Sequence, residues 1–201
     1  MVIRKKTRLL PPPFVGTRIG INLTDSLVWG IHSTQLAEGS ATTQIDWGDG
    51  TRQTCEAISD VTHTYPAPGK YEVRISDDIR TINMHWSDDA MKLPVTSFAT
   101  NAKKLTALSA YAFAECANLS VLDISRDAAL SSFILRAFRN CVSLPSEVRL
   151  YTLKALTSNS FEGCPQITAL RFLKANEDVI REKPGFETAF GAENATVYFD
   201  L

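Results

Sequence analysis

The feature that most constrains the fold of this chain is a motif that recurs three times in its second half. Each copy reads Ala-Phe-x-x-Cys-x-x-Leu, with Ser in place of Ala and Ile in place of Leu in the third copy. The recurring pairs are Phe113 with Cys116, Phe138 with Cys141, and Phe161 with Cys164, and the phenylalanines are 25 and 23 residues apart. Periods in the twenties are typical of solenoids, in which each unit buries its apolar side against the next. Such a stack builds extended surface, which favours binding over catalysis.

Within each unit the pattern predicts a turn followed by a strand. The motif is expected to form a short helical turn, because Phe and Cys at positions i and i+3 then share one face. Brief strands are predicted after the turns, near residues 121–122, 148–150 and 169–172, and these strands would form a narrow parallel sheet. The units open on Leu105, Leu130 and Leu153, which keep the same two intervals.

The repeated pattern Leu-x-x-Leu-x-x-x-Ala-Phe-x-x-Cys-x-x-Leu resembles that of BspA-like leucine-rich repeats, which occur in bacterial and protist surface proteins and in some phage proteins. Three units match, at about 105–129, 130–152 and 153–172. Phe98, with Asn101 at the cysteine position, is interpreted as a degenerate opening unit. Residues 189–199 are interpreted as a closing half-unit with Glu193 at the cysteine position. Atypical end units are expected, because an uncapped end would expose the core.

The repeat cysteines are expected to form a column of small buried side chains. Two alternatives remain open from the sequence: a disulfide between adjacent repeats, and a zinc site, which needs about four converging ligands. Cys55 lies in a polar stretch and is predicted to be a free thiol. The sequence predicts no metal and no cofactor.

The first half of the chain is patterned as short strands joined by tight turns. Residues 42–47 favour a strand, and Asp49 followed by Gly50 can supply the positive φ of a turn. From Tyr71 to Ile75, apolar and polar side chains alternate with the period of a strand that has one solvated face. Many short strands with almost no helix predict a β-sandwich.

The residues of this half resemble the polycystic kidney disease (PKD) domain, an immunoglobulin-like sandwich, over roughly residues 17–84. The motif is Ile-Asp-Trp-Gly-Asp-Gly-Thr, followed by His-Thr-Tyr and then Pro-Gly-x-Tyr-x-Val. Its motif residues are Asp46, Trp47, Gly48, Asp49, Gly50, His63, Tyr65 and Tyr71. The resemblance implies that Trp47 and Tyr71 are packing residues, that Asp49-Gly50 is a turn, and that this half carries no active site. Modules of this kind serve as spacers or interaction domains.

Asp46, Asp49 and His63 also permit a different interpretation. Two carboxylates around a glycine turn can contribute to a calcium site, although calcium takes about 6–8 oxygen ligands and only two candidate side chains are present. Turn capping, with a hydrogen-bonded histidine, is favoured.

The charge of the chain is unevenly distributed. Residues 1–20 carry five basic side chains and no acid, whereas the whole chain has a net charge of −1, so residues 21–201 carry about −6. Arg4, Lys5, Lys6 and Arg8 form a basic arm before a run of three prolines, and they are the candidate partner-binding residues. The predicted organisation is therefore a basic proline-rich arm (1–16), a PKD-like sandwich (17–86) and BspA-like repeats with terminal caps (87–201). The fold class is mainly β with short helices.

No established catalytic motif is present in the sequence, and a non-enzymatic protein is predicted. His85, Asp88 and Asp89 at the junction of the two halves leave one hydrolytic alternative open, which a pocket joining them would support. Residues 1–13 do not resemble a secretory signal, since Leu9 and Leu10 run directly into prolines; either this export route is not used or a leader has been removed. No apolar run approaches the roughly 18 residues of a membrane span.

Two functional hypotheses follow. The first is a component of a phage or prophage-type particle, such as a tail or surface subunit. The second is a bacterial cell-surface or secreted adhesin that binds host protein or glycan. Both hypotheses predict protein partners, either subunits of an assembly or a surface receptor, and both disfavour nucleic acid. The predicted location is the virion or the cell exterior.

Overall fold

A computed structural model of the protein describes residues 13–201. This part of the chain is mainly β, with fourteen strands, two short α-helices and two 3-10 segments at 174–176 and 186–191. The helices are α1 (Asp89–Lys92) and α2 (Glu177–Arg181). The strands are β1 Gly16–Leu23, β2 Val28–Leu36, β3 Thr43–Asp46, β4 Arg52–Cys55, β5 Ile58–Thr64, β6 Gly69–Ser76, β7 Ile79–Asn83, β8 Val95–Thr100, β9 Ala107–Leu108, β10 Val121–Ile124, β11 Ser132–Phe133, β12 Glu147–Leu150, β13 Ala169–Phe172 and β14 Thr196–Phe199.

Two mixed sheets enclose the core of the first half. One has the strand order β10-β8-β1-β6-β3-β4, and the other has the order β11-β9-β7-β2-β5. Strands β1 to β7 pair with one another in antiparallel fashion, as in the register Ile19↔Val73. Ile19, Val73 and Ile75 from the first sheet and Trp29 and Ile82 from the second are fully buried in one continuous hydrophobic core. Alternation along the strands therefore places one face of each sheet inside, as the sequence pattern predicts.

Both sheets continue into the repeats. Strand β8 pairs with β1 on one side and, in parallel fashion, with β10 on the other. Strand β7 pairs with β2 and then, in parallel fashion, with β9, which in turn pairs with β11. The predicted division at residues 86 and 87 stays a prediction, but backbone hydrogen bonds and core packing cross it.

Among the described residues the repeats form five coils, and backbone hydrogen bonds join each coil to the next. The N–H groups of Phe113, Phe138 and Phe161 donate to carbonyl oxygens one coil further on, at 2.7–2.9 Å. Met84 donates to Ala112 in the same way at 2.8 Å, so residues 79–100 form an additional first coil with buried Met84 in the phenylalanine position. The sequence motif did not reveal this coil, because neither Phe nor Cys marks it.

The parallel sheet of the repeats is divided rather than continuous. Strands β12, β13 and β14 form a separate three-stranded parallel sheet, whereas β10 belongs to the six-stranded sheet. Pro145, which has no backbone N–H to donate, lies just before β12, where the ladder to β10 is interrupted.

The repeat motif forms successive hydrogen-bonded turns instead of the predicted helical turn. Cys116 N–H donates to the carbonyl of Phe113, three residues back, at 3.2 Å, and the equivalent bonds occur in the next two units. The residue before each cysteine is left-handed, with φ values of 64° at Glu115, 59° at Asn140 and 71° at Gly163. A left-handed residue stops a right-handed helix, so each motif changes direction after one turn.

The two end units differ from their predicted registers. Phe98 is buried in strand β8 and not in a turn, and the Asn101 side chain bonds the backbone of Phe14 and Gly16. In the closing unit Ala192 is fully buried, while Glu193 is exposed and does not occupy the buried cysteine position. Burying a carboxylate without a partner is costly, and left-handed residues at 189 and 190 set the buried position one residue earlier than predicted.

Candidate interaction surface

The residues of the Trp47 motif form a closed structural cluster at the β3–β4 turn. The Asp49 carboxylate accepts hydrogen bonds from the Thr51 backbone at 3.0 Å and the Thr51 hydroxyl at 2.6 Å, and it lies 2.7 Å from Nε2 of His63. Asp46 accepts from the N–H of Gly48 and from Nε of Arg52. These contacts cap the turn, in which Gly48 and Gly50 have positive φ.

The aromatic members of the motif pack beneath that turn. The ring of His63 stacks on buried Trp47 with a distance of 5.1 Å between ring centres. It meets Tyr65 edge-on, with ring centres 4.7 Å apart. Tyr65 is fully buried, and its hydroxyl donates a hydrogen bond to the carbonyl of Trp47 at 3.2 Å. Its ring also packs on half-buried Tyr71, with 4.4 Å between the ring centres. These side chains face one another and not an open cavity.

Burial and hydrogen bonding act in opposite directions on Asp49. Burial alone raises the pKa of its carboxyl, but the hydrogen bonds from Thr51 and His63 outweigh that effect and lower the pKa to about 2. Asp49 is therefore ionised at neutral pH and holds the turn as an acceptor of hydrogen bonds.

The repeat side chains form two internal columns. The rings of Phe113, Phe138 and Phe161 are fully buried and stack with centroid separations of 5.6 and 5.5 Å and interplanar angles of 7°. Cys116, Cys141 and Cys164 lie alongside them as buried free thiols. Burial raises the pKa of the Cys116 and Cys164 thiols to about 12 and that of Cys141 well above its usual value. Because thiolates are disfavoured here, these cysteines pack as small apolar side chains.

A line of charged side chains crosses the turns outside these columns. Lys92, whose side chain is 5% exposed, bonds Glu115 at 2.8 Å and Asp89 at 3.0 Å. Arg136 bonds Glu162 at 2.8 Å and the hydroxyl of Tyr111 at 3.1 Å. The pairs of Lys92 with Glu115 and of Arg136 with Glu162 and Tyr111 join residues of successive coils, so they bind the turns together.

His85, Asp88 and Asp89 do not converge on a pocket. Asp88 caps α1 by accepting from the backbone of Ala90, and Asp89 pairs with Lys92. The nearest groove, of about 560 Å³, is lined by residues of β1, α1 and the following loops but by none of these three side chains. The two aspartates are therefore engaged in a helix cap and an ion pair, and this groove does not join them to His85.

The outward face of the three-stranded sheet carries an exposed polar and aromatic surface. Glu147 bonds Arg149 at 2.8 Å and Arg171 at 2.7 Å, and Arg171 also bonds Asp200. The guanidinium of Arg171 lies 4.6 Å from the ring centre of Tyr198, which is 39% exposed. Sequence reasoning did not select these residues, although alternation along β12 to β14 could have indicated that they share one face.

A second exposed feature lies beside the closing coil. An open groove of about 800 Å³ is bordered by Phe186, Ala195 and Val197 and by three carboxylates. Those carboxylates are Glu162, Glu187 and Glu193. Thr196 and Val197, at the start of β14, also line it, and β14 is the last strand of its sheet.

Other site predictions have the following outcomes. Arg4, Lys5, Lys6 and Arg8 lie outside the described residues. Among residues 13–201 no three His, Cys, Asp or Glu side chains cluster as metal ligands would, and none of the helices in this range has the length and apolar character to cross a membrane. Cys55 is a buried free thiol.

Comparison with known proteins supports the repeat interpretation. Residues 71–183, more than half of the chain, match the BspA-type leucine-rich repeat region in six copies. The match begins in β6, ahead of the repeat units recognised in the sequence, and includes the first coil that Met84 marks. Neither curated proteins nor solved structures give a match. With its stacked phenylalanines and coil-to-coil hydrogen bonds, the chain belongs to the BspA-type leucine-rich repeat family.

Proposed function

We propose that this protein is a non-enzymatic subunit of a phage or prophage-type particle, which binds other proteins through its repeats and its PKD-like half. The observation that carries the proposal is the Arg171–Tyr198 surface on the outer face of β12–β14. There the apolar side chains of β12 and β13 (Val148, Leu150, Leu170 and Phe172) are buried, while an arginine, an exposed tyrosine and their acidic partners face outward. Tyrosine and arginine are enriched at protein interfaces, because both combine large contact area with hydrogen bonding.

The chemistry of the buried groups favours binding over catalysis. The thiols of the repeats have pKa values too high for nucleophiles at neutral pH. Among residues 13–201 two carboxylate–histidine pairs are close: Asp49 and His63 hold a turn stacked on Trp47, and His32 and Asp60 pair on the exposed side of β2 and β5. A catalytic site would need a reactive group facing a pocket, and neither set of residues provides one.

The PKD-like assignment of the first half belongs to this proposal. Its support is the packing of Trp47, His63 and Tyr65 under an acid-capped turn, together with the two facing sheets. In the proposed role this half is a spacer that continues directly into the repeats through β7 and β8. A spacer that shares sheets with the binding module holds that module in a fixed orientation.

A particle role is favoured by the division of charge along the chain. A segment of charge +5 precedes a body of charge −6, and such complementary regions favour association among subunits. The second candidate is a bacterial surface adhesin, and family membership favours it, because BspA-type repeats often belong to surface or extracellular proteins.

Fractionation distinguishes the two candidates. Particles are purified from producing cells on a density gradient, and the protein is quantified by mass spectrometry in the particle band and after protease treatment of intact cells. A particle subunit is recovered in the band at a fixed ratio to the other particle proteins. Recovery on protease-accessible cell surfaces, with none in the band, would instead establish the adhesin.

The binding face is tested with matched tyrosine variants. Tyr198→Ala removes the aromatic ring beneath Arg171, while Tyr111→Ala removes a tyrosine that is bonded to Arg136 at 3.1 Å in the turns, outside this face. Incorporation of the protein into particles should fall with Tyr198→Ala and stay normal with Tyr111→Ala. Equal incorporation of both variants would exclude the β12–β14 face as the interface.

A further inference from the structure

The closing coil leaves one edge of its sheet without a partner. Within residues 13–201 strand β14 pairs only with β13, and the N–H of Thr196 donates to the carbonyl of Thr168 at 2.9 Å. In a parallel ladder alternate residues direct both backbone groups to the same neighbour. Val197 and Phe199 therefore direct their N–H and C=O groups to the opposite side, where no strand lies among residues 13–201. An unpaired edge of this kind accepts an added extended segment.

The groove beside this edge is acidic on one side and apolar on the other. Glu187 and Glu193 are exposed, and in the described part of the chain neither has an ion-pair partner, whereas Glu162 is paired with Arg136. Among residues 13–201 no Lys or Arg lines the groove; Arg181, which is paired with Glu177, lies 5.2 Å from the ring centre of Phe186. Phe186 and Val197, both half-buried, supply its apolar wall. The occupant that fits is an extended segment with several cations next to apolar side chains.

The chain itself contains such a segment. Residues 4–8 carry four basic side chains, and Leu9 and Leu10 follow them directly. This segment lies ahead of the described residues, and β1 begins at Gly16. Its charge complements the groove, and its length of seven residues matches that of an ordinary strand.

We propose that residues 4–10 of one copy dock in the groove of a second copy and extend its three-stranded sheet beyond β14. The basic side chains pair with Glu187 and Glu193, the leucines contact the wall of Phe186 and Val197, and the backbone bonds the free edge. The same contact repeated from copy to copy is head-to-tail, so it generates rings or open chains and not a two-fold dimer. This inference goes beyond the proposed function, because it names a second copy as a partner and holds whether the protein acts in a particle or on a cell.

Geometry favours a second copy over the same chain. Gly16 lies beside Asn101, just past the carboxyl end of β8 in the six-stranded sheet, whereas Thr196 begins β14 at the far edge of the separate three-stranded sheet. Only residues 11–15, three of them proline, separate the basic segment from β1. An own-chain route would have to pass from one sheet to the far edge of the other over these few residues, whereas a second copy removes this constraint.

The test uses two full-length variants with complementary losses. The groove variant is Glu187→Gln with Glu193→Gln, and the arm variant is Arg4→Gln, Lys5→Gln, Lys6→Gln and Arg8→Gln. Sedimentation velocity at low salt should show the unmodified protein associating and both variants at least about tenfold weaker in self-association. An equimolar mixture should form a one-to-one complex, because one variant keeps the groove and the other keeps the arm. Added salt of about 0.5 M should dissociate it.

A matched control and an edge variant complete the design. Glu38→Gln with Glu56→Gln removes two exposed carboxylates away from the groove and should leave association unchanged. Val197→Pro removes the N–H directed to the free edge and should weaken association while circular dichroism shows the fold retained. A monomeric unmodified protein, a mixture that stays monomeric, or groove variants that associate normally would each overturn the proposal. None of these outcomes bears on the Tyr198 test of the proposed function.

Discussion

The thiol of Cys141 donates a hydrogen bond to the backbone carbonyl of Phe113, one coil earlier, at a sulfur–oxygen distance of 3.0 Å. Cys164 makes the same bond to Phe138, also at 3.0 Å. The repeated cysteine therefore joins coil to coil, in addition to filling the column beside the phenylalanines. A side chain at this position must be small, apolar and able to donate one hydrogen bond, which is why Cys recurs there.

The thiol column should be chemically unreactive in the folded protein. Because burial raises the pKa of Cys116 and Cys164 to about 12, the thiolate that attacks a disulfide reagent is scarce at pH 8. We expect slow modification of all three repeat thiols by Ellman's reagent in native buffer and rapid modification in denaturant. Mass spectrometry of the labelled peptides identifies each site. Rapid native labelling of Cys141 would contradict the column.

Phe138 should be a major contributor to the stability of the stack, since it lies between Phe113 and Phe161. Phe138→Ala removes contacts on both ring faces and should lower the free energy of unfolding by about 3–5 kcal/mol. Lys154→Ala, at an exposed position, should change it by less than about 0.5 kcal/mol. Urea unfolding followed by circular dichroism compares the two, and equal midpoints would contradict the repeat register.

Gly163 should be hard to replace because its backbone is left-handed. Its φ is 71°, and an added Cβ would lie 2.1 Å from the side-chain oxygen of Asn140. Gly163→Ala should therefore cost about 1–2 kcal/mol. Gly69→Ala is the matched control, since its nearest neighbours would lie at 3.7 Å and its φ is not positive. Thermal unfolding of the two variants should show a clearly lower Tm for the first alone.

Asp49 should make stability depend on acid pH. The pKa of its carboxyl falls from 3.8 to about 2 on folding, so the folded state holds the ionised form more strongly than the unfolded state does. The resulting stability is present above pH 4 and is lost as pH falls toward 2. Asp49→Asn should be less stable than the unmodified protein at neutral pH, and it should lose less of its stability on acidification. Asp123→Asn, at an exposed position, should follow the unmodified protein. Urea unfolding at each pH measures the free energy of unfolding. If its dependence on pH is the same for all three proteins, the role of Asp49 is contradicted.

The parts of the fold that could be predicted from the sequence are those in which a side chain has only one suitable environment. The phenylalanine interval led to the stack, and the Trp47 motif led to an acid-capped turn, because large aromatic groups and a carboxylate followed by glycine leave few alternatives. The first coil was missed because Met84 can fill the phenylalanine position without any sequence signature. The polar surface around Arg171 and Tyr198 depends on strand register, which pairs residues 27 positions apart and is set by the whole stack.

His85 should add a second, separate pH dependence near neutrality. Its ring lies 5.3 Å from Tyr111, and its buried Nδ1 has no hydrogen-bond partner among residues 13–201. Burial, followed by the charge of Lys92, lowers the pKa of His85 below 6.5, so the folded protein favours the neutral ring. A lowered histidine pKa contributes stability that is present above the unfolded pKa of 6.5 and is lost as pH falls below it.

The free energy of unfolding of His85→Phe should therefore change less between pH 7 and pH 5 than that of the unmodified protein. Chemical unfolding at each pH measures the slopes, and a His85→Phe curve as steep as that of the unmodified protein would show that this ring is not the titrating group.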